Sequence, residues 1–325
     1  MSRRAGLIGL LVAAGSALSS GTSPAQEPYP SRTVKIVIPA APGSTTDTLA
    51  RLVADRLGQV WGKTVIVENI PGGAMNIGAG NVARAAPDGY TLLIAPPSPL
   101  SFNHLIYRDP GYEPGKFVPI TMLAKIANVL VVRKDLPAAT LRELIDYAKA
   151  NPGKLTYASQ GVGSTAHLSA AQLEVQAGIK MVHVPYRGAQ PALTDVVAGH
   201  VDMFFDTLAT SVPLYRDDKV KLLGVADLKR AGIVPEIPTI SEAGLPGFRS
   251  ITWFGLVAPP ATPEALAEKI GRDVIAILKT TEMGDTLRKI SLEAGATTPA
   301  ETTRFFAEET ALWSNVIREA GIEPQ

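Results

Sequence analysis

Short runs of β-branched and apolar residues alternate along this chain with glycine-containing turns and with runs of helical periodicity. The first such unit is Thr33–Ile38, which is followed by the turn Pro42–Asp47 and then by apolar residues at helical spacing. Thr64–Glu68 and Thr91–Ala95 repeat the strand-like run, and each has a turn on either side. A repeated order of strand, turn and helix predicts an α/β protein with a parallel sheet covered by helices.

A second series of such units begins near Ala127–Arg133. Further strand-like runs and helical runs follow, at Leu141–Ala150 (helix), Leu155–Ser159, Met181–Val184, Val201–Phe205, Val220–Val225 and Ile251–Ala258 (strands), then Pro263–Lys279, Glu282–Leu292 and Pro299–Ala320 (helices). The alternation of strand-like and helical runs is interrupted near Pro246-Gly247 and then begins again. We therefore predict two α/β lobes, residues 26–126 plus 247–325 and residues 127–246, joined by two chain crossings with a ligand cleft between them.

The first 25 residues have the order of a secretory signal peptide. Arg3 and Arg4 precede the apolar run Ala5–Ala17, and the small residues Ser23-Pro24-Ala25 precede Gln26. The run is shorter than the roughly 20 residues that a membrane-spanning helix needs. We predict export to the periplasm, and the paired arginines leave both the Sec and the twin-arginine routes open.

Composition excludes several classes of site. The chain has 325 residues, 31 Lys and Arg against 30 Asp and Glu, and no cysteine, so it forms no disulfide, thiolate metal site or thiol nucleophile. Its four histidines form none of the usual metal-binding spacings, and we predict neither a metal nor a cofactor. The balanced, interspersed charges predict no nucleic-acid partner, and we expect a monomer.

Two glycine turns follow the first two strands, at Pro42–Asp47 and Asn69–Ala74. Neighbouring parallel strands bring such turns together at one edge of the sheet, where ligands bind. A helix that begins at such a turn presents free N–H groups and a positive end, which together hold an anion. Taken alone, the first turn is more typical of an ordinary capped connection between a strand and a helix. Two such turns side by side favour a binding site more than either does alone.

Two further turns, Gln160–Gly163 and Pro185–Gly188, belong to the second lobe. Ser164 or Thr165 is the expected helix cap, and His167 in the first helical turn should stay neutral because the helix dipole disfavours its cation. Ser164 and His167 with Asp206 suggest a hydrolytic set, but a capping serine already uses its oxygen and no Gly-x-Ser-x-Gly elbow occurs. Asp206 itself is either a ligand acceptor or the cap of the next helix.

Several motifs occur in a fixed order along the chain after residue 25: Tyr29-Pro30-Ser31-Arg32, Pro42-Gly43 with Asp47, Pro87-Asp88-Gly89-Tyr90-Thr91, Gly163-Ser164 with His167, His183-Val184-Pro185-Tyr186, and Gly244-Leu245-Pro246. In this order they resemble the substrate-binding proteins of tripartite tricarboxylate transporters, the Bug-type family of periplasmic receptors. The resemblance implies a type II periplasmic-binding-protein fold, a cleft ligand bearing a carboxylate, and no enzymatic activity.

The resemblance also implies a set of ligand-binding positions. The first-lobe turns would hold the ligand's carboxylate through backbone groups and waters, and the second lobe would read its other end. The positions are Gly43, Ser44, Thr45, Thr46, Asp47, Gly72, Gly73, Ala74, Ser98, Asn103, Gln160, Gly163, Ser164, Thr165, His167, Tyr186 and Asp206. Two departures from the family pattern are Ser44, where a second glycine is common, and Ala74-Met75-Asn76, where the turn is usually richer in glycine.

The function implied is capture of a small organic acid and its delivery to a membrane permease of the tripartite tricarboxylate type. The acid is a mono-, di- or tricarboxylate, including aromatic acids and amino acids. One alternative is a ligand-presenting sensor of a two-component system, whose partner is a sensor-kinase ectodomain. The other is a hydrolase that uses Ser164, His167 and Asp206.

Overall fold

The computed structural model describes residues 29–324, and the predicted signal peptide lies outside this range. The elements, in chain order, are β1 (Val34–Ile38), α1 (Thr45–Trp61), β2 (Val65–Asn69), α2 (Asn76–Ala83), β3 (Thr91–Ala95), α3 (Asn103–Ile106), β4 (Val118–Arg133), α4 (Leu141–Ala150), β5 (Thr156–Ser159), α5 (Thr165–Ala177), β6 (Val182–Pro185), α6 (Ala189–Ala198), β7 (Met203–Thr207), α7 (Leu208–Arg216), β8 (Val220–Val225), β9 (Ile251–Ala258), α8 (Glu264–Leu278), α9 (Thr281–Lys289), β10 (Glu293–Ala294) and α10 (Pro299–Glu319). A π-helix, Ser98–Phe102, joins β3 to α3. Among the described helices, none has the length and apolar character needed to cross a bilayer.

One mixed sheet runs through both lobes in the order β2-β1-β3-β9-β4-β7-β5-β6, and β8 and β10 also pair with β4. The units predicted from the strand–turn–helix pattern pair in parallel: β1 with β2 and β3, and β5 with β6 and β7. The return strand β9 is antiparallel to β3 and β4. The turns that follow β1, β2 and β3 therefore lie at one sheet edge, as do those that follow β5, β6 and β7.

Strand β4 is the longest in the sheet and belongs to both halves. It pairs with β9 as far as Ala127 and with β7 from Asn128 onward. The sequence predicted only its second half, from Ala127, whereas the strand begins at Val118. The first half was not recognised as a strand because it contains Pro119 and Lys125. Proline is rare inside strands, and a charge interrupts an apolar run. The predicted lobe boundaries, 126/127 and 246/247, lie near this change of partner and stay a prediction.

Each half of the sheet has its own apolar core. The second-lobe core contains Val131, Leu173 and Phe204, which are fully buried. The first-lobe core continues on both faces of its sheet, with Leu49 and Leu256 on one face and Trp253 on the other. Each core lies within its own half, and the lobes are connected by β4, by the segment that leads into β9 at Ser250 and by the contacts described next.

A fourth buried cluster joins the two lobes directly. Phe102 and Ile106, from the segment after β3, pack with Leu168 of α5 and with Trp313 of α10. The hydroxyl of Tyr107 also donates to the carbonyl of Val162 at 3.3 Å. The segment that follows β3 therefore touches the turn that follows β5, across the space between the lobes.

Candidate functional site

The turn after β1 is closed by side chains onto its own backbone. Gly43 has a φ of +79°, and Ser44 is the N-cap of α1, where its Oγ accepts the N–H of Asp47 at 3.2 Å. The Asp47 carboxylate in turn accepts the N–H of Gly43 at 2.9 Å. Thr45 and Thr46 form the first helical turn, in which N–H groups have no intrahelical acceptor and are free for an anion.

Asp47 also ties the first turn to its neighbours. Arg51 contacts both carboxylate oxygens, at 2.9 and 3.2 Å, and the side-chain amide of Asn69 donates to Oδ1 at 3.1 Å. The hydrogen bond from Arg51, followed by that from Gly43, lowers the pKa of Asp47 to about 2. Asp47 is therefore ionised at neutral pH, and the guanidinium of Arg51 balances its charge. Through these contacts Asp47 links the turn after β1 to the turn after β2.

The turn after β2 has an unusual backbone. Gly72, Gly73, Ala74 and Met75 all have positive φ, at 120°, 54°, 52° and 75°. Such angles are uncommon for residues with a side chain, so Ala74 and Met75 hold a backbone that normally favours glycine. The φ of +120° favours glycine at position 72, where a Cβ would also lie 2.9 Å from Cδ1 of Ile77. The departure from a glycine-rich pattern thus changes the side chains of this turn while its left-handed backbone persists.

Side chains from the segment after β3 hold this second turn in place. Nδ2 of Asn103 donates to the carbonyl of Ala74 at 2.9 Å and to Oδ1 of Asn76 at 2.6 Å. Ser98 places its Oγ 3.9 Å from Sδ of Met75. The predicted positions Ser98 and Asn103 therefore lie against the second turn, where Asn103 is 1% exposed.

The turn after β5 repeats the chemistry of the turn after β1. Ser164 is the N-cap of α5, and its Oγ accepts the N–H of His167 at 3.3 Å. Gly163, with a φ of +75°, donates its N–H to Nδ1 of His167 at 3.2 Å. The two segments, Gly43–Asp47 and Gly163–His167, share the pattern Gly-Ser-Thr-x-acceptor. The repeat is visible in the sequence and would have indicated the shared geometry of the two turns.

His167 is neutral and belongs to an aromatic stack. Its ring lies 4.3 Å from that of His183, which lies 4.9 Å from that of Tyr157. Burial, followed by the proximity of His183, lowers the pKa of His167 to about 4. Because Nδ1 accepts a hydrogen bond, the proton of the neutral ring is on Nε2, which makes that nitrogen a donor.

Two further predicted positions, Tyr186 and Asp206, have internal partners. Tyr186 donates its hydroxyl to Asp195 at 2.7 Å, and its half-buried ring packs against the second-lobe core. Asp206 is 2% exposed, and its Oδ2 accepts the hydroxyls of Thr210 and Ser211 at 2.5 and 2.9 Å. Burial raises the pKa of Asp206. The N-cap of α7 is Thr207, so Asp206 holds the first turn of that helix from one position earlier.

The hydrolytic arrangement of Ser164, His167 and Asp206 does not form in this structure. Oγ of Ser164 and Nδ1 of His167 both accept backbone N–H groups, and Asp206 is bonded to hydroxyls of α7. None of these bonds links the three side chains into the relay that such catalysis requires. Over residues 29–324 the structure also contains no cluster of three or more His, Asp or Glu side chains arranged to hold a metal ion.

Two lobes that share strand β4, each with a capped helix that begins after a parallel strand, have the architecture of a two-lobed solute-binding protein. The family described as "Tripartite tricarboxylate transporter family receptor" (TctC) matches residues 49–322, and this chain belongs to that family. Its members are periplasmic solute-binding proteins and not enzymes, which removes the hydrolytic alternative. The predicted family and type II periplasmic-binding-protein fold are thereby confirmed.

Individual relatives cover nearly the whole chain. A UPF0065 protein in the tcbD-tcbE intergenic region of a Pseudomonas species is 35% identical over 95% of this chain and 93% of its own length. The solved structure of Rhodopseudomonas palustris Rpa4515 with adipate has 37% identity and a TM-score of 0.81, covering 91% of this chain and all of that one. MatC from the same organism, with bound malate, has 32% identity and a TM-score of 0.77, covering 89% and 100%.

Proposed function

We propose that this chain is a periplasmic receptor that binds a small carboxylate between its lobes and delivers it to a tripartite tricarboxylate-type permease. The observation that carries the proposal is the pair of Gly-Ser-Thr helix starts, one in each lobe, of which the second contacts the segment that follows β3 of the first lobe. Membership of the receptor family supports it, as do the adipate and malate bound in two structural neighbours.

In the proposed mechanism, the start of α1 and the second turn hold the anchoring carboxylate. The free N–H groups of Thr45 and Thr46 supply hydrogen bonds, and the positive end of α1 supplies the field. Asp47 does not repel this anion strongly, because Arg51 balances its charge at 2.9 Å. The start of α5, with Ser164, Thr165 and the Nε2 donor of His167, reads the other end of the ligand, and the ring of Tyr186 packs beside it.

A thermal-shift screen of carboxylic acids at neutral pH tests the binding step. An acid present at 100 times its dissociation constant stabilises the folded protein by about 2.7 kcal/mol, which is readily measured. The matched controls are the amides of the same acids, which lack the charge that the helix ends attract. Stabilisation by no acid, or equal stabilisation by acid and amide, would contradict the proposal.

Export and delivery need separate tests. N-terminal sequencing of the protein from an osmotic-shock fraction should begin at Gln26, and retention of residues 1–25 would count against the signal peptide. Uptake of the labelled acid should disappear in a strain that lacks this receptor and return when it is supplied. Normal uptake in that strain would show that transport of the acid does not depend on this receptor.

A further inference from the structure

Lys125 lies on β4 just before the point at which this strand changes partner, and it contacts a carboxylate of each lobe. Its Nζ is 3.3 Å from Oδ2 of Asp227, which follows β8 in the second lobe, and 3.6 Å from Oε2 of Glu293 in β10 of the first lobe. Both distances exceed the roughly 2.7–2.9 Å of a well-formed charge-assisted hydrogen bond. The lysine is therefore shared between the two lobes.

A pocket of about 420 Å³ opens beside this lysine. Its walls come from β4, from the segment after β8 and from the end of α9, so both lobes contribute to it. Ile126, Ile233 and Leu292 are among its apolar lining residues. Because the lobes leave space between them here, the long side chain of Lys125 can follow either carboxylate when the angle between the lobes changes.

Two other cations that line this pocket are already paired. Arg230 contacts Glu242, and Arg288 contacts Asp285. Within residues 29–324, the carboxylates at ion-pair distance from Lys125 are one from each lobe. The choice that Lys125 makes between them is therefore set by the relative position of the lobes.

The second chain crossing has a different kind of ion pair. Arg249, two residues before β9, donates to Glu309 of α10 at 2.6 Å, and Glu309 also accepts the indole N–H of Trp253 at 2.8 Å. Glu309 is buried, and separating a buried ion pair is costly. This crossing is thus fixed to the first lobe, whereas the pairs of Lys125 are partly exposed and are exchanged at little cost.

We propose that Lys125 is an ionic switch for the angle between the lobes, paired with Asp227 in one arrangement and with Glu293 in the other. Exchanging one partly exposed ion pair for another leaves the two arrangements close in free energy, so a ligand with differential affinity can select between them. None of the predicted ligand-binding positions lines the pocket beside Lys125. The switch itself is independent of the proposed function, and only its effect on ligand affinity rests on that function.

Neutralising one carboxylate at a time tests the switch. Asp227→Asn leaves Glu293 as the charged partner, and Glu293→Gln leaves Asp227. Spin labels on Lys63→Cys and Lys180→Cys, one exposed position in each lobe, report the distance between the lobes, and no native cysteine competes for the label. In the unliganded protein, the two substitutions should shift the population of lobe arrangements in opposite directions, each by about two- to fivefold.

Two controls assign the shifts to Lys125. Glu113→Gln removes the carboxylate of an ion pair with Lys116 that lies within the first lobe, and it should leave the label distances unchanged. Lys125→Met removes the shared cation, so Asp227→Asn and Glu293→Gln should have no further effect in that background. Absence of a shift, shifts in the same direction, or shifts that persist without Lys125 would overturn the proposal.

Calorimetry with the best acid from the carboxylate screen connects the switch to binding. The variant whose population moves toward the ligand-bound distance should bind this acid about two- to fivefold more tightly, and the other variant should bind it more weakly. If no acid binds, the proposed function fails, and the label distances of the unliganded variants still decide on the switch. If an acid binds while neither substitution moves the distances, the switch is wrong and the proposed function stands.

Discussion

Asp47 and His167 occupy the same place in the two Gly-Ser-Thr segments, but their electrostatics are opposite. Each accepts the N–H of the glycine four residues earlier, which closes the turn. Asp47 is an anion whose pKa is lowered to about 2, whereas His167 is a neutral ring whose pKa is lowered to about 4. The shape of the turn is thus independent of the charge of the acceptor. The first lobe can then offer a charge-balanced cradle and the second a neutral donor.

The depressed pKa of Asp47 predicts a pH dependence of stability. Its folded pKa of about 2 lies below the unfolded value of about 3.9, so its contribution is complete above pH 4 and declines as the pH falls toward 2. Urea unfolding of the wild type and Asp47→Asn should therefore differ most above pH 4 and converge near pH 2. The contribution of His167 to folding stability is lost at higher pH, as the pH falls from about 6.5 to about 4. This loss occurs in both proteins, so it cancels when their stabilities are compared. A constant difference between the two proteins at all pH values would contradict the assignment.

At the scale of elements, α1 and α5 begin in the same way because the same local chemistry starts them. Ser44 and Ser164 are both N-caps in extended backbone, and each accepts the N–H three residues later. The sequence narrowed each cap to two neighbouring residues, Ser44 or Thr45 and Ser164 or Thr165, since Ser and Thr before an apolar helical run are strong start signals. In both helices the cap is the serine. It did not predict the second bond, from glycine to Asp47 or His167, because that bond depends on the positive φ of the glycine.

Removing these two caps should lower both folding stability and ligand affinity, whereas removing a cap elsewhere should lower stability alone. Ser44→Ala and Ser164→Ala should each cost about 1 kcal/mol of folding stability, and both should weaken carboxylate binding because the helix starts lose their fixed donors. Thr140→Ala is the matched control, since Thr140 caps α4 through the N–H of Glu143 at 3.2 Å. It should cost similar stability and leave the affinity unchanged. Calorimetric titration and thermal unfolding measure both effects, and equal affinity in all three variants would speak against the site.

The elements that the sequence missed are those that only tertiary pairing creates. The first half of β4 is a strand because β9 and the two-residue β10 pair with it, despite Pro119 and Lys125. The π-helix Ser98–Phe102 begins after Pro97 and contains Pro99, so its sequence carries turn signals instead of helical periodicity. It matters for the site nonetheless, since it places Asn103 beneath the second turn. Local patterns therefore predicted the turns that present the helix ends, and not the segment that supports them.

At the scale of the whole molecule, the lobes are joined by β4, by the segment that leads into β9 and by the buried cluster around Ile106, Leu168 and Trp313. The cluster lies on the same side as the ligand-reading turn, because Ile106 packs on Gly163 and Tyr107 bonds Val162. A change in the angle between the lobes must therefore move this turn against α3. Closure on a ligand and the packing of this cluster are then coupled, as hinge motions require.

Gly163→Ala should shift the protein toward an open state. A Cβ there meets Ile106 at 3.0 and 3.1 Å, which pushes α3 away from the turn, and the φ of +75° adds strain within the turn itself. Gly178→Ala is the matched control, since Gly178 has a φ of +62° at the other end of α5 with open space around it. Small-angle scattering should show that a saturating acid reduces the radius of gyration of the wild type and of Gly178→Ala, but reduces it less in Gly163→Ala. The double variant Gly163→Ala/Ile106→Ala relieves the collision and should recover part of the closure. Identical scattering changes in Gly163→Ala and Gly178→Ala would show that the contact with Ile106 does not limit closure.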